Sequence, residues 1–192
     1  MGRQPCIIRE TCGGNYAYQL EDDMLLHREV ECVGEITAES VNSLISQLRY
    51  LARRDAGAEI TMYINSPGGE VSSGLALYDV MKAVRCPIRT VCVGMAASMG
   101  AVLLSAGDRR EILKHARVMI HDPLMRGVGG SALHVRSLSE DLMRTREILC
   151  EILAEHTGKS IEEIYEKTCN DTYFYAEEAV AYGLVDRVIE EL

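Results

Sequence analysis

Hydrophobic and polar positions change period several times along this chain, and the changes mark its elements. Residues 1–19, around Cys12-Gly13-Gly14-Asn15, have little periodicity and predict an N-terminal arm with at most a short strand. Residues 27–33 alternate as a strand does, and residues 37–51 place Val41, Leu44, Ile45, Leu48 and Leu51 on one helical face. Residues 59–65 predict a strand with Ile60, Met62 and Ile64 facing one way, closed by the turn Ser66-Pro67-Gly68-Gly69. A helix over 71–84 follows. The next strand, 88–93, passes through Gly94 and a set of small residues into a helix-like apolar run, 101–106. A short strand, 118–121, ends at Asp122-Pro123. Gly127 to Gly130 form a loop that is not a phosphate loop, because no Gly-Lys-Ser/Thr follows it.

From 131 to 156 runs one long helical pattern with Val135, Leu138, Leu142, Leu149, Ile152 and Leu153 among its apolar positions. At 1.5 Å per residue it spans roughly 39 Å. A domain of this size has a radius of gyration of only about 16 Å. The helix is therefore expected to project and to bury part of its length on another subunit; a helix lying across the full width of the domain is the simpler reading. Gly158 stops it, and Ser160-x-x-Glu163 is a capping box for the next helix. A loop over 169–172, a helix over 176–182 stopped by Gly183, and a strand over 184–189 complete the chain. Strands alternating with helices predict an α/β fold with parallel pairings. Residues 20–192 form one domain.

Composition narrows the function only slightly. With 29 acidic against 20 basic residues the formal charge is −9, which argues against a nucleic-acid-binding surface. The one basic patch, Arg109, Arg110, Lys114 and Arg117, reads as a solvated turn. The seven cysteines form no Cys-x-x-Cys pair and read as buried free thiols in a reducing compartment, so a cytoplasmic protein is expected. No signal peptide is evident, and glycine and serine in the uncharged run 90–107 favour a buried strand-turn-helix over a membrane span.

That run also holds the candidate chemistry. Ser98 sits where strand gives way to helix, with Gly100 two residues on, which is how a nucleophilic hydroxyl is presented. Ala96 stands where the first glycine of G-x-S-x-G belongs, and a buried small-residue contact would look the same. A serine needs a base. Of five histidines, His27 and His134 lie in polar settings, His115 in a charged turn and His156 in a helix C-terminal turn; His121 alone ends an apolar strand. The base needs a carboxylate on its other nitrogen. Asp171 leads because it lies in a loop between helices; Asp122 is too close to His121 in sequence, and Asp186 is at a strand surface. Gly68-Gly69 can bring backbone amides close to a ligand, and with the Met99 amide they can form an oxyanion hole.

Four segments together, Tyr63-Ile-Asn-Ser-Pro-Gly-Gly69, Gly94-Met-Ala-Ala-Ser-Met-Gly-Ala101, Arg117-Val-Met-Ile-His-Asp-Pro-Leu124 and Glu178-Ala-Val-Ala-Tyr-Gly-Leu-Val-Asp186, resemble the ClpP family, the proteolytic subunits of the Clp protease. The resemblance runs from about Gly34 to the C-terminus. It implies the spiral of β-β-α units shared with crotonases, Ser98 as nucleophile, His121 as base, Asp171 as its partner, and Gly69 and Met99 as oxyanion amides. Glu70–Val71 and Pro123, Leu124 and Met125 would hold a substrate peptide as an added strand. The 131–156 helix would be the family's "handle" between two heptameric rings, stacked as a tetradecamer. Unfolded polypeptides would be the substrates, fed by an AAA+ unfoldase that consumes the ATP; this chain needs no cofactor or metal.

The sequence departs from that family in four places. The 1–19 arm does not match its axial loops. Cys169-Asn170 replace an inter-ring Asp-Arg latch, Glu111 stands for an aromatic of the unfoldase-docking pocket, and Met125-Arg126 replace a Gly-Gly after Pro-Leu. Two other readings stay open: a crotonase-type acyl-CoA enzyme, and a non-catalytic ring subunit paired with an active paralogue.

Overall fold

The structure, a computed structural model, describes residues 6–125 and 127–192. Residues 1–5 of the arm and Arg126, one of the family departures, lie outside them. In chain order the elements are β1 (Cys6–Thr11), β2 (Gly14–Gln19), α1 (Leu20–Leu26), β3 (Glu29–Val33), α2 (Ala38–Arg54), β4 (Ile60–Ser66), α3 (Val71–Ala83) and β5 (Ile88–Ala97). They continue with α4 (Met99–Ser105), β6 (Arg109–Leu113), β7 (Arg117–Ile120), α5 (Ala132–Thr157), α6 (Ile161–Thr168), β8 (Thr172–Tyr175), α7 (Ala176–Tyr182) and β9 (Arg187–Ile189).

Strands β3, β4, β5, β6 and β9 lie side by side in that order, all parallel, as chains crossing over through helices must be. The alternation read in β4 is the burial pattern observed: Ile60, Met62 and Ile64 lie in the core beneath the helices. Helix α2 turns Val41, Leu44, Leu48 and Leu51 inward, and its first turn is capped by Thr37, whose hydroxyl accepts the Ser40 amide at 3.2 Å. Strand β5 is long enough to serve two neighbours. Arg89 to Cys92 pair with β6, whereas Met95 to Ala97 pair with β7. Strand β7 then pairs antiparallel with β8. This change of partner opens the sheet where β5 ends, at Ser98.

Several expectations are corrected. Residues 6–19 of the arm form a full antiparallel hairpin, and the helix α1 after it was not predicted; it has no buried residue and so leaves no apolar stripe to read. Of the basic patch, only Lys114 lies in an exposed turn; Arg109, Arg110 and Arg117 lie in strands. Residues 109–113 are a strand, where Arg109 binds Glu59 at 2.9 Å and Arg110 donates to the carbonyls of His156 and Gly183 at 2.7 and 2.9 Å. Glu111 is fully buried between Arg89 and Arg187, with Arg109 beside it. The Ser160 hydroxyl caps α6 by accepting the Glu163 amide, but Glu163 turns to Lys159 instead of closing the reciprocal half of the box. Cys32, Cys86, Cys92 and Cys150 are buried free thiols, whereas Cys6, Cys12 and Cys169 are exposed.

Helix α5 runs almost as read, but its burial is one-sided along its length. Leu149, Cys150, Ile152 and Leu153 are buried, and nothing from 132 to 148 is. No helix among the described residues is long and apolar enough to cross a membrane.

Candidate active site

Ser98 lies between β5 and α4 at φ 55° and ψ −123°, a backbone region that residues with a side chain rarely occupy. Such strain persists only when the surroundings over-determine it. Here the Ser98 amide donates to the Met119 carbonyl at 2.9 Å, and its own carbonyl accepts the Ala101 amide at 2.9 Å. Every residue of α4 behind it is buried. The hydroxyl is thus turned out of the sheet while the main chain is held from both sides.

His121 and Asp171 are positioned by a strand ladder. In the antiparallel pairing of β7 with β8, Ile120 lies opposite Thr172. The ladder ends there, and His121 and Asp171 are the next residues along each strand. His121 Nε2 lies 2.9 Å from Ser98 Oγ, and its Nδ1 lies 3.2 Å from Asp171 Oδ1. A carboxylate can only accept, so it selects the tautomer with the proton on Nδ1 and leaves Nε2 bare to accept from the serine. The imidazole is 15% exposed but the Asp171 side chain is 60% exposed in the single chain.

The turn before α3 forms the opposite wall. Ser66 organises it: the buried hydroxyl donates to the Gly34 carbonyl at 2.6 Å and accepts the Gly68 amide at 3.1 Å. Gly68 has φ 93°, and a Cβ there would lie 2.6 Å from that of Ser98, so no larger residue fits against the nucleophile. Gly69 bridges to Ile36, which donates to the Gly68 carbonyl at 2.9 Å and accepts the Glu70 amide at 2.8 Å. In a parallel bridge those flanking groups are used, so Gly69's own N–H points the other way. Neither it nor the Met99 amide has a hydrogen-bond acceptor among the described residues.

Between these walls is a cavity of about 500 Å³ that holds Ser98 and His121 and is lined by Val71, Val102, Leu149 and Leu153. A second cavity shares its rim at Gly69, Val71, Pro123 and Leu124, and adds Glu70, Met125 and Asp141. Nine of the ten residues singled out by sequence therefore border one cleft, and the tenth, Asp171, stands behind His121, outside its lining. Segment 123–125 has no ladder partner among the described residues, and Leu124 is 71% exposed.

Other side chains settle into structural roles. Asp186 pairs with Arg110 and His156 contacts the Tyr78 hydroxyl at 3.1 Å. Two features of the site were missed by sequence. Cys150 lines the larger cavity, where burial pushes its thiol pKa up and keeps it from competing as a thiolate. Asp122 pairs with Arg146 of α5 at 2.7 Å. The i, i+3 spacing of Arg146 and Leu149 would have placed Arg146 near the cavity once the helix phase was known. No cluster of His, Cys, Asp and Glu suited to a metal ion occurs among the described residues.

The family model for Clp protease matches residues 12–192. The chain belongs to the Clp protease family. It is thus a ClpP-type peptidase with the mixed α/β fold of that family, and the match reaches back into the hairpin that sequence reading had set apart from it.

Proposed function

We propose that this Clp protease family member is a serine endopeptidase that hydrolyses unfolded polypeptides by a Ser98–His121–Asp171 triad inside a chamber built from copies of itself. The observation that carries the reading is the continuous line from Ser98 Oγ to His121 Nε2 at 2.9 Å and from His121 Nδ1 to Asp171 Oδ1 at 3.2 Å, at the head of a cleft. Ser98 Oγ attacks the scissile carbonyl as its proton passes to Nε2, and Asp171 stabilises the imidazolium. The amides of Gly69 and Met99 receive the oxyanion. His121 then protonates the leaving amine, and a water repeats the sequence to release the acyl group. A substrate strand fits between 69–71 and 123–125, whose main-chain groups lack ladder partners on the cleft side.

The unburied first half of α5 supports self-association through that helix, in the manner of stacked heptameric rings. An AAA+ unfoldase is the partner that would supply substrate and consume ATP, and the free thiols support a cytoplasmic setting. The test is labelling by a fluorophosphonate together with peptide hydrolysis. Label on Ser98, and loss of hydrolysis in Ser98→Ala at unchanged oligomer size, are expected. Full turnover by pure Ser98→Ala would refute the reading, and an unlabelled Ser98 would favour the crotonase alternative.

A further inference from the structure

Asp122 follows the triad histidine directly, yet its side chain turns away from the cleft into the joint between α5 and α6. Its Oδ2 accepts from Arg146 Nε at 2.7 Å, while Oδ1 is buried with no hydrogen-bond partner among the described residues. Arg146 also reaches the Tyr165 carbonyl at 3.5 Å and stacks over the Tyr165 ring at 4.3 Å. The Asp122 amide donates to the carbonyl of Thr168, the last residue of α6, at 2.7 Å. These contacts form a closed circuit: Asp122, Arg146, Tyr165, Thr168 and back to Asp122. His121 precedes one point of the circuit, and Asp171 follows Thr168 by three residues.

Two consequences follow from the chemistry. Mechanically, the circuit anchors both chain segments just beyond the β7–β8 ladder, where the ladder itself gives no further support. Electrostatically, it keeps a second carboxylate beside His121 neutralised, so that Asp171 alone acts on the imidazole. A carboxylate with one buried oxygen that loses its cation favours positive charge nearby, and the imidazolium formed during turnover belongs to the adjacent residue.

We propose that Arg146 is a positioning residue for the peptidase reaction: by holding the Asp122 carboxylate and the end of α6, it fixes His121 relative to Asp171 and ties both to the long helix α5. The inference rests on the triad reading above. It also gives α5 a direct line to the site, since Arg146 lies at the boundary between the helix's unburied half and its buried half. Among the described residues, the charged and titratable groups facing this corner include Asp122, Asp171, Arg146, Tyr165, Cys150, Glu35, and Glu147 and Glu151 of α5. Only Asp122 and Arg146 are altered in the test.

The experiment compares Arg146→Gln, Asp122→Asn and the double variant in the assembled full chain, after wild-type hydrolysis and Ser98 labelling have been established. Failure of the labelling thus sinks the triad reading before this one is addressed. For Arg146→Gln, kcat is expected to fall at least tenfold with KM within a factor of about two, because small misplacements of reacting groups are costly in rate. The acid limb of kcat/KM should move to higher pH, since the freed carboxylate favours the imidazolium. Asp122→Asn leaves an unopposed guanidinium and should move the limb to lower pH. The double variant removes both charges and should return it toward wild type, with kcat above that of Arg146→Gln. A merely structural contact would lower thermal stability without shifts of opposite sign. Wild-type kcat in Arg146→Gln, or acid limbs that do not separate between the two single variants, would overturn the proposal. If Arg146→Gln fails to assemble, Asp122→Asn and Arg146→Lys carry it: a downward shift is required for the first, and for the second, which keeps the charge but loses the stacking and the second hydrogen bond, a wild-type acid limb with lowered kcat.

Discussion

Asp171→Asn tests the triad where its geometry is most unusual. The His121–Asp171 contact of 3.2 Å lies at the end of a strand ladder, and the carboxylate is 60% exposed. Two unit charges about 4 Å apart interact by about 1 kcal/mol in water and about 4 kcal/mol near a protein surface of lower effective dielectric. A half-exposed carboxylate facing a largely buried imidazole falls between these, so about 2–3 kcal/mol of transition-state stabilisation is expected from the ion pair. At about 1.4 kcal/mol per tenfold, Asp171→Asn should lower kcat by roughly 10²-fold. That is less than the loss of roughly 10⁴ seen when the aspartate of a buried triad is replaced by asparagine. Steady-state hydrolysis of a short fluorogenic peptide at constant assembly state measures it, with KM unchanged because Asp171 does not line the cleft. A loss smaller than about threefold would remove Asp171 from the mechanism. A loss of 10⁴ or more would show that assembly buries this carboxylate far more than the single chain does.

Glu111→Gln should destabilise the fold by about 2–3 kcal/mol, below the 3–5 of a fully buried pair because Arg187 and Arg109 remain 62% and 46% exposed. That corresponds to a fall in Tm of roughly 5–10 °C by differential scanning calorimetry, and an unchanged Tm would refute the buried network. Burial raises the Glu111 carboxyl, but hydrogen bonds from Arg187 and Arg89 and their charges more than offset this, leaving it below its ordinary 4.5. Its stabilisation is therefore complete above the unfolded value and lost as pH falls through the folded one; acid unfolding of Glu111→Gln should lack that component. Replacing the half-buried Leu138 and Leu142 with serine should lower oligomer size and peptidase activity together, with circular dichroism retained. Sedimentation velocity showing an undiminished oligomer would make the helix intrasubunit only.

Sequence reading succeeded where burial is one-sided and local. The period of β4 and the apolar face of α2 follow from their own residues, and so does the serine turn, because strain at Ser98 needs small neighbours that are visible in the sequence. It failed where an element is made by distant partners. Strand β6 carries Arg109, Arg110 and Glu111 in five residues, too charged for a strand until Arg110 meets Asp186 and Glu111 meets Arg187, each 76 residues away. Strand β8, four residues long, alternates Tyr173, Phe174 and Tyr175 but exists only against β7. Missing β8 also meant that Asp171 could be chosen only by its loop context. Its actual warrant, the register that sets it opposite His121, needs the pairing of strands more than fifty residues apart.

The same register explains why the site is divided between what one chain holds and what it leaves open. Ser98, His121, Gly68 and Gly69 are fixed by main-chain bonds to Met119, by the β7–β8 ladder and by the bridge to Ile36, all within one subunit. Segment 123–125, the exposed Leu124 and the first half of α5 have no such support among the described residues. The reacting groups are thus assembled by folding, whereas in the chamber proposed above the exposed wall that grips a substrate strand would be covered by a neighbouring copy. Dissociation should accordingly weaken peptide binding before it disturbs the serine–histidine contact. The circuit through Asp122 and Arg146 is the place where those two requirements meet.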